Sequence, residues 1–334
     1  MELRQLNALV GIADHGSFSA AADALHTVQS NVSAHVKKLE RELGCELVDR
    51  TTGQPTEAGE IVIARSRRVQ AELDAMLSDV VALTREVAGT VRIGIIGTTA
   101  RWLVPQLLRS TPERYPHLRL VFVESPNTRL DTQLATGQVD IAVLDLPTDG
   151  VDLAVSPLFE EELVLVVRKD HRLASAVELS LKELEGTPLL LPLTGTAFRS
   201  DIDAAVSASG TTLLARAEVD GTRLIASLTF EGWGPSILPA TAVPSYLLGE
   251  FALVKLIQIP RRLVGVVQRA TGLPSAPARA VLELLTEIVS DPSRIPNGLT
   301  PVPPQKRRVS STAARGSGIV QLSGRPERLP PHEP

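Results

Sequence analysis

Apolar residues recur at helical spacing through the first 60 residues, which predicts a run of short helices. The first helix begins near Leu3 and stops at the turn 14–16, and Ser17 then occupies the position of an N-cap. A second helix carries Phe18, Ala21, Ala22 and Leu25 on one face. Thr27 is expected to cap a third helix, which ends at Gly44 and whose apolar stripe is Val28, Val32, Val36, Leu39 and Leu43.

The opposite face of the third helix displays short hydrogen-bonding side chains rather than Glu–Lys pairs, and such a face can read the edges of DNA bases. About three residues join this helix to the second one, which is the spacing of a helix-turn-helix. A short hairpin, or wing, is predicted around the turn 51–55, with Arg50 as its phosphate contact. The candidate DNA-binding residues are Gln29, Ser30, Asn31, Ser33, His35, Lys37, Lys38 and Arg50.

Residues 57–88 contain no proline, and their apolar residues follow the heptad period of a coiled coil. This period predicts one long linker helix. Its apolar seam either pairs with the same helix of a second chain or lies on the core of the next domain. The persistent heptad, together with the need of a helix-turn-helix for a symmetric partner, favours the dimer. The predicted dimerisation residues are Val69, Leu73, Met76, Val80, Leu83 and Val87.

Beyond Gly89 the pattern changes to apolar strands that alternate with helices. Strands are expected at 91–96, 118–123, 141–144, 163–167, 189–191, 236–238 and 263–267, and helices around 101–114, 201–209, 224–231 and 278–290. This alternation is typical of crossover units and predicts mainly parallel sheets with both faces covered. About 200 residues is large for one such sheet, so two linked α/β subdomains are expected.

Five sequence blocks in the first 60 residues, at 17–22, 25–33, 39–44, 49–50 and 56–59, resemble the winged helix-turn-helix of LysR-type transcriptional regulators in order and spacing. The resemblance continues to about residue 290, where it implies an effector-binding domain with a periplasmic-binding-protein-like fold. This chain departs from the family pattern in its shorter wing and its acidic first domain.

The fold class that follows is α/β and has three parts ahead of a tail. A winged helix-turn-helix is expected at 1–59, a linker (dimerisation) helix at 60–89, and an effector domain of two α/β subdomains at 90–290.

Ligands of parallel α/β sheets bind beyond the carboxyl ends of the strands, beside helix N-termini. Hydroxyl-rich turns at 97–99, 194–198 and 220–222 could offer hydroxyl and N–H groups to a carboxylate, although each turn alone is more often ordinary helix capping. The resemblance implies a co-inducer cleft at these places and at the turn 125–128. We therefore expect a small anionic metabolite, with Arg101 either pairing with it or pointing into water. The candidate effector-binding residues are Thr98, Thr99, Asn127, Thr196 and Thr222.

Residues 291–334 hold nine prolines, seven Lys or Arg and three acidic residues, with few apolar ones. Such a composition predicts a disordered, Pro-rich basic tail. The run Lys306-Arg307-Arg308 either strengthens DNA binding or is simply solvated, and solvation is the commoner role of a charge run.

The charge and the cysteine content limit which partners and sites are expected. Lys plus Arg number 34 against 38 Asp plus Glu, and residues 1–60 alone carry five basic and nine acidic residues. Non-specific DNA affinity is therefore expected to be weak. Cys45 is the single cysteine, which excludes an internal disulfide and a multi-thiolate metal site. No export signal or membrane span is evident, so a cytoplasmic protein without a membrane partner is expected.

An enzyme is the rival class, but its motifs are missing. The stretch 94–99 lacks the dinucleotide fingerprint, and the sequence shows no phosphate loop, nucleophile elbow or zinc motif. No catalytic residue, cofactor or metal is expected. A solute-binding protein is disfavoured by the missing export signal and the helix-turn-helix.

We interpret the chain as a sequence-specific DNA-binding regulator that a small metabolite controls. The alternative is a cytoplasmic small-molecule-binding protein with weak or lost operator specificity. The expected partners are a double-stranded DNA operator, a small-molecule co-inducer and a second copy of the chain. The resemblance also implies a tetramer and leaves RNA polymerase open as a partner.

Overall fold

The computed structural model describes residues 1–84, 86–150, 152–303 and 308–309. It begins with three short helices, α1 (Leu3–His15), α2 (Phe18–Ala24) and α3 (Gln29–Leu43). Their facing sides form one core that also includes Ile63 of the linker helix. Gly11 lets α2 approach α1 closely, because a Cβ there would lie 3.2 Å from Leu25 Cδ1.

The sequence predicts the N-cap of α2 correctly and the N-cap of α3 wrongly. Ser17 caps α2, since its Oγ accepts a hydrogen bond from the Ala20 backbone N–H at 3.1 Å. Thr27 does not cap α3, which begins at Gln29 after Val28. The Thr27 backbone N–H is bonded to the Ala22 carbonyl at 2.9 Å, so this residue belongs to the turn that closes α2.

Only the middle of the α3 stripe is buried. Val32, Val36 and Leu39 are fully buried, whereas Val28 is 59% and Leu43 43% exposed. The ends of α3 therefore extend past the helices that cover its centre.

The predicted wing hairpin forms a turn rather than a ladder. Asp49 accepts backbone hydrogen bonds from Thr51 and Thr52, and Val48 pairs with Pro55 in an isolated bridge. A proline opposite Val48 removes one backbone donor, and the few residues between leave little room for further pairs.

The linker helix α4 runs over Glu57–Thr84. Val87 lies outside it, so the prediction that the helical seam reaches Val87 is wrong. Strand pairing prevails there, because Ala88 already pairs with His117 in the first sheet.

Strands and helices alternate through the rest of the described chain: β1 (Ala88–Ile95), α5 (Gly97–Arg114), β2 (His117–Glu124), α6 (Asn127–Ala135), β3 (Ile141–Leu146), β4 (Leu153–Glu161), β5 (Leu163–Arg168), β6 (Glu178–Leu179), β7 (Pro188–Pro192), α7 (Ala197–Ala208), β8 (Leu214–Val219), α8 (Thr222–Phe230), β9 (Ser236–Pro239), β10 (Phe251–Leu256), β11 (Arg262–Arg269), α9 (Ala276–Ser290), β12 (Leu299–Pro301) and β13 (Arg308–Val309). Short 3-10 turns lie among them, one at Ala240–Ala242.

Two sheets define two subdomains. Subdomain 1 has the strand order β12-β4-β11-β3-β1-β2, with β13 also pairing with β4, and subdomain 2 has the order β6-β10-β5-β9-β7-β8. The chain passes from one to the other between β4 and β5, and returns between β10 and β11. The expectation of mainly parallel sheets is wrong, because β11 is antiparallel to β3 and β4, and β5 is antiparallel to β9 and β10. The antiparallel strands β5 and β11 are the ones that follow the two crossings between the subdomains.

The expectation of disorder over residues 291–334 is wrong for their first part. Arg294 donates to Ser110 Oγ of α5 at 2.6 Å, Leu299 is buried, and β12 extends the sheet along β4. These contacts order the segment although its composition is poor in apolar residues. Residues 304–307 and 310–334 lie outside the described residues.

Within the described part of the chain, no helix is long and apolar enough to cross a membrane.

The junction between the loop 45–55 and α4 depends on Gly59. A Cβ at Gly59 would lie 2.0 Å from the Leu47 carbonyl oxygen. We expect Gly59→Ala to lower the free energy of unfolding by about 3 kcal/mol, because backbone cannot move away as a side chain can. Gly249→Ala is the control, since nothing lies within 4 Å of its Cβ position. Urea unfolding followed by circular dichroism compares the two, and equal stability would contradict the close packing at Leu47.

Candidate DNA interface and effector cleft

The N-terminal turn of α3 presents the polar side chains predicted to read DNA. Gln29, Ser30 and Asn31 are exposed, and Ser33 and His35 are half-buried. Asn31 Nδ2 donates to Thr27 Oγ1 at 3.0 Å, which holds this amide on the turn between α2 and α3. The helix-turn-helix thus exposes one helix end while its apolar face is buried.

Among the three predicted phosphate contacts, Lys37 is exposed and forms no ion pair in the described part of the chain. Lys38 Nζ lies 2.6 Å from Glu2 Oε1, and this hydrogen bond lowers the pKa of Glu2 and raises the pKa of Lys38. One of the predicted DNA contacts is therefore already neutralised within the chain, because Glu2 pairs with Lys38.

Arg50 is engaged in a similar way. Its Nη2 lies 2.5 Å from Glu40 Oε2, and its guanidinium sits over the Phe18 ring. Glu40 Oε1 also accepts the backbone N–H groups of Leu47 and Val48. Glu40 is not among the residues predicted from the sequence, yet its hydrogen bonds link α3 to the loop that carries Arg50.

Thr98 and Thr99 lie where the cleft is predicted, at the start of α5 beyond the carboxyl end of β1, but both are buried. Arg262 Nη2 donates to Thr98 Oγ1 at 2.7 Å. Arg262 begins β11, directly after the chain returns from subdomain 2. The two hydroxyls thus face an internal arginine at the crossing between the subdomains.

A buried ion network surrounds that arginine. Glu161 Oε2 lies 2.5 Å from Arg262 Nη2 and accepts a hydrogen bond from its Nε at 2.7 Å, and Asp145 Oδ1 lies 3.3 Å from its Nη1. Glu161 Oε1 accepts two further bonds, from the backbone N–H and the hydroxyl of Thr241 in subdomain 2. Burial would lower the pKa of Arg262, but the Glu161 and Asp145 carboxylates outweigh it and raise that pKa.

The other predicted effector residues make local contacts. Asn127 exchanges two hydrogen bonds with the backbone of Asp145, and Thr196 caps α7 by accepting from the Arg199 N–H. Thr222 is half-buried at the start of α8. Asn127 thus fastens the start of α6 to β3, and Thr196 has the ordinary helix-capping role that the sequence analysis gives as the alternative.

An ion pair between Arg223 of α8 and Glu124 at the end of β2 links the two subdomains. A Cβ at Gly97 would lie 2.6 Å from Glu124 Oε1, so this carboxylate sits against the N-terminus of α5. Arg101 is half-buried on the same helix and forms no ion pair among the described residues.

Arg262, Glu161 and Asp145 form the charged network beside Thr98, and the sequence analysis does not predict any of the three. Glu161 and Arg262 are 101 positions apart, and each borders an ordinary apolar strand. In the sequence, each is recognisable only as a charged residue at one end of an apolar strand.

Most of the predicted linker seam is exposed to solvent. Val69, Met76, Val80 and Leu83 are 41 to 85% exposed, and Leu73 is half-buried. Leu77, beside the seam, is 62% exposed. An apolar stripe of this length along one helix is typical of a surface that a partner covers.

Among the residues that the structure describes, no group of three or more His, Cys, Asp or Glu is placed to hold a metal ion.

The comparisons with known proteins agree with this architecture. Residues 3–60 match the bacterial regulatory helix-turn-helix protein model of the lysR family, and residues 84–290 match the LysR substrate binding domain. The chain belongs to the LysR family of DNA-binding transcriptional regulators. This confirms the resemblance and the fold class predicted from the sequence.

Individual relatives are similar over most of their length. The chain is 28% identical to OxyR of Escherichia coli K12, a DNA-binding transcriptional dual regulator, over 293 residues that cover 86% of this chain and 95% of that protein. It is 31% identical to a probable hydrogen peroxide-inducible genes activator of Streptomyces viridosporus, over 88% of this chain and 96% of that protein. These relatives are regulators of transcription, a class distinct from enzymes.

Two solved structures show the same fold. A full-length OxyR variant from Pseudomonas aeruginosa superposes with a TM-score of 0.70 at 26% identity, covering 86% of this chain and 94% of that one. CbnR, solved in complex with its target DNA, has a TM-score of 0.63 at 20% identity, covering 86% and 98%.

The Glu2–Lys38 ion pair allows a test of whether acidic residues of the DNA-binding domain weaken its binding to DNA. We expect Glu2→Gln to tighten binding to a non-specific duplex and to steepen its salt dependence by about one phosphate contact, because Lys38 is released. Glu60→Gln is the control, since it removes the same charge from an exposed residue of α4 without an ion pair in the described chain. Fluorescence anisotropy across a salt series measures both, and identical slopes would show that Lys38 is not held back by Glu2.

Proposed function

We propose that α3 enters the major groove of an operator, where Gln29, Ser30 and Ser33 contact base edges and Lys37, Lys38 and Arg50 contact phosphates. The observation that supports this proposal is the exposed polar N-terminal turn of α3, on a helix whose central apolar residues Val32, Val36 and Leu39 are fully buried. Asn31 and His35 border the same surface. Val28, 59% exposed at the N-cap of α3, is suited to a thymine methyl group.

The helix assignment is tested with a duplex from the region upstream of the protein's own gene, against a scrambled competitor. Gln29→Ala or Ser33→Ala should weaken specific binding by about 1–3 kcal/mol at fixed salt, because each removes a direct base contact. Ser207→Ala, an exposed serine of α7, is the control. If the variants still discriminate operator from scrambled duplex as the wild type does, the recognition-helix proposal fails. Wild-type binding without any preference would favour the alternative of a metabolite-binding protein with lost operator specificity.

We also propose that a small molecule bound between the two subdomains controls this binding. This proposal is supported by the charged groups of both subdomains that meet beyond the carboxyl ends of β1 and β3. A ligand that binds the open and closed arrangements of the subdomains with different affinity shifts the population of each. RNA polymerase remains a proposed partner on the strength of the family alone.

Hydrogen peroxide appears in the names of several relatives, but thiol oxidation is not proposed for this effector domain. Residues 84–290 contain no cysteine, and Cys45, the one cysteine of the chain, lies after α3 in the DNA-binding domain. Because peroxide acts on protein thiols by oxidising cysteine sulfur, we propose a non-covalent effector instead.

The exposed seam of α4 supports a homodimer, and effector-domain contacts would extend it to a tetramer. A two-stranded pairing through Val69, Leu73, Met76, Val80 and Leu83 would cover this stripe and place two recognition helices on two half-sites.

Val80→Glu with Leu83→Glu should break the pairing, since both charges would be buried in the seam. Sedimentation is expected to show a smaller species than for Ile61→Glu, an equally drastic change on the same helix but away from the seam. An unchanged assembly in the double variant would remove the proposed dimer contact.

A further inference from the structure

A cavity of about 600 Å³ lies between the linker helix α4, the helix α1 and subdomain 1. It borders the amino-terminal ends of β1 and β3, whereas Thr98 and Arg262 lie at the opposite end of these strands. Cavities of this size hold small molecules in many proteins. The cavity is therefore separate from the proposed effector cleft.

Short side chains on α4 leave this space open. Ala71, Ala75 and Ser78 line it, and their spacing places them on one face of the helix. On either side of the gap the helix is fastened, because Gln70 bonds to α1 and Asp79 bonds to the N-terminus of α9. The helix is thus fixed beside a gap that its own side chains are too short to fill.

Three charged side chains from neighbouring strands line the sheet side of the cavity: Arg92 of β1, Asp140 just before β3, and Arg269 at the end of β11. Asp140 Oδ2 accepts a hydrogen bond from the Arg92 backbone N–H at 2.7 Å. Val267 pairs with Ala142, so the same register brings Arg269 level with Asp140 on its other side. Residues opposite each other in a sheet share a face. The two arginines therefore flank the aspartate on the face that α4 covers.

Both of these arginines have free hydrogen-bonding capacity. Neither Arg92 nor Arg269 has a carboxylate within ion-pair distance in the described part of the chain. Arg269 Nη1 donates to the Leu134 carbonyl at 3.3 Å, which leaves its other guanidinium nitrogens unused among the described residues. Arg67, the third arginine of the cavity, differs from them because it is paired with Asp14 of α1.

The acids around the cavity restrict which ligand fits. Burial raises the pKa of Asp140, and the charges of Arg269 and Arg92 oppose that rise. Two cations against one anion leave the sheet side with an excess of positive charge. On α4, Glu72 and Asp74 line the cavity, are exposed and form no ion pair in the described chain. A ligand with one anionic group facing the sheet and an uncharged or cationic remainder facing α4 matches this distribution.

We propose that this cavity is a second ligand site, which binds a small molecule through a carboxylate or phosphate group held between Arg92 and Arg269. Guanidinium groups bind both kinds of anion by charge-assisted hydrogen bonds. A ligand there contacts α4 and subdomain 1 together, so it adds a link between the DNA-binding half of the molecule and the effector half.

The test uses the full chain and three probes at equal ionic strength: butanoate, methyl phosphate and butylammonium. We expect at least one of the two anions to bind in titration calorimetry, and the tighter one identifies the anionic group. Arg92→Gln and Arg269→Gln should each weaken that binding about tenfold or more, because each removes a charged hydrogen-bond donor. Arg109→Gln is the matched control, since this exposed arginine of α5 lies outside the cavity and has no ion pair in the described chain.

A second variant tests the cavity without changing a charge. Ala75→Leu fills the space while it leaves both arginines in place, and leucine is a good helix former. This variant should abolish anion binding, which keeps the proposal falsifiable even if an arginine variant folds poorly. Anion binding that survives Ala75→Leu and both arginine substitutions would overturn the proposal. No binding of either anion, or binding of butylammonium alone, would overturn it as well.

Discussion

The Arg262–Glu161 ion pair is the interaction on which the effector half of the molecule depends. Glu161 ends the strand that leaves subdomain 1, and Arg262 begins the strand that re-enters it, so the pair joins the two crossings of the chain. Glu161 also binds Thr241 of subdomain 2. Removing one partner of a buried pair typically costs about 3–5 kcal/mol, because the other charge stays buried and unpaired. Loss of either Glu161 or Arg262 would therefore be strongly destabilising, and this pair helps to fix the position of the two subdomains relative to each other.

The segment after α9 strengthens the same crossing from outside. Gly298 accepts a hydrogen bond from the Glu162 N–H at 2.9 Å, and Arg261 donates to Thr300 Oγ1 at 2.8 Å while pairing with Glu162. At Gly298 the backbone has a φ of +86°, and a Cβ would lie 2.6 Å from Ala240 Cβ. Only glycine fits so close to subdomain 2 in this conformation. Residues 298–300, which the composition assigns to a disordered tail, therefore contact both crossings between the subdomains.

The parts of the fold that the sequence predicts best are those whose signal is local. The helices α1 to α4 and the strands β1, β3 and β5 follow from apolar periodicity, because burial imposes that periodicity on each element separately. The strand β8 escapes prediction, since its residues are almost all exposed and no apolar alternation could mark it. The helix α6 resembles a turn in the sequence, since Asn127 and Pro126 are typical turn residues as well as helix-start residues.

The sequence predicts where Thr98 and Thr99 lie but not what they contact. Both follow β1 at the start of α5, as the alternation of strands and helices leads us to expect, and whether they bind an effector stays a prediction. Their partner Arg262 is more than 160 residues away, and a single sequence carries no record of such a contact. The same holds for Lys38 and Arg50, whose basic side chains suggest free phosphate contacts until the structure places Glu2 and Glu40 beside them.

The linker helix connects these two halves because it is held at both ends. Its first turns share the core of the DNA-binding domain through Ile63, and Gln70 Nε2 donates to Asn7 Oδ1 of α1 at 2.8 Å. Farther along, Asp79 accepts the Ala276 N–H at the N-terminus of α9, at 2.6 Å, and pairs with Arg279. Because α9 packs on β1 of subdomain 1, these contacts couple the position of α4 to that subdomain. The exposed seam lies on this same helix, so in the proposed dimer a shift of subdomain 1 would change how the two α4 helices, and the α3 helices proposed to bind DNA, are oriented relative to each other.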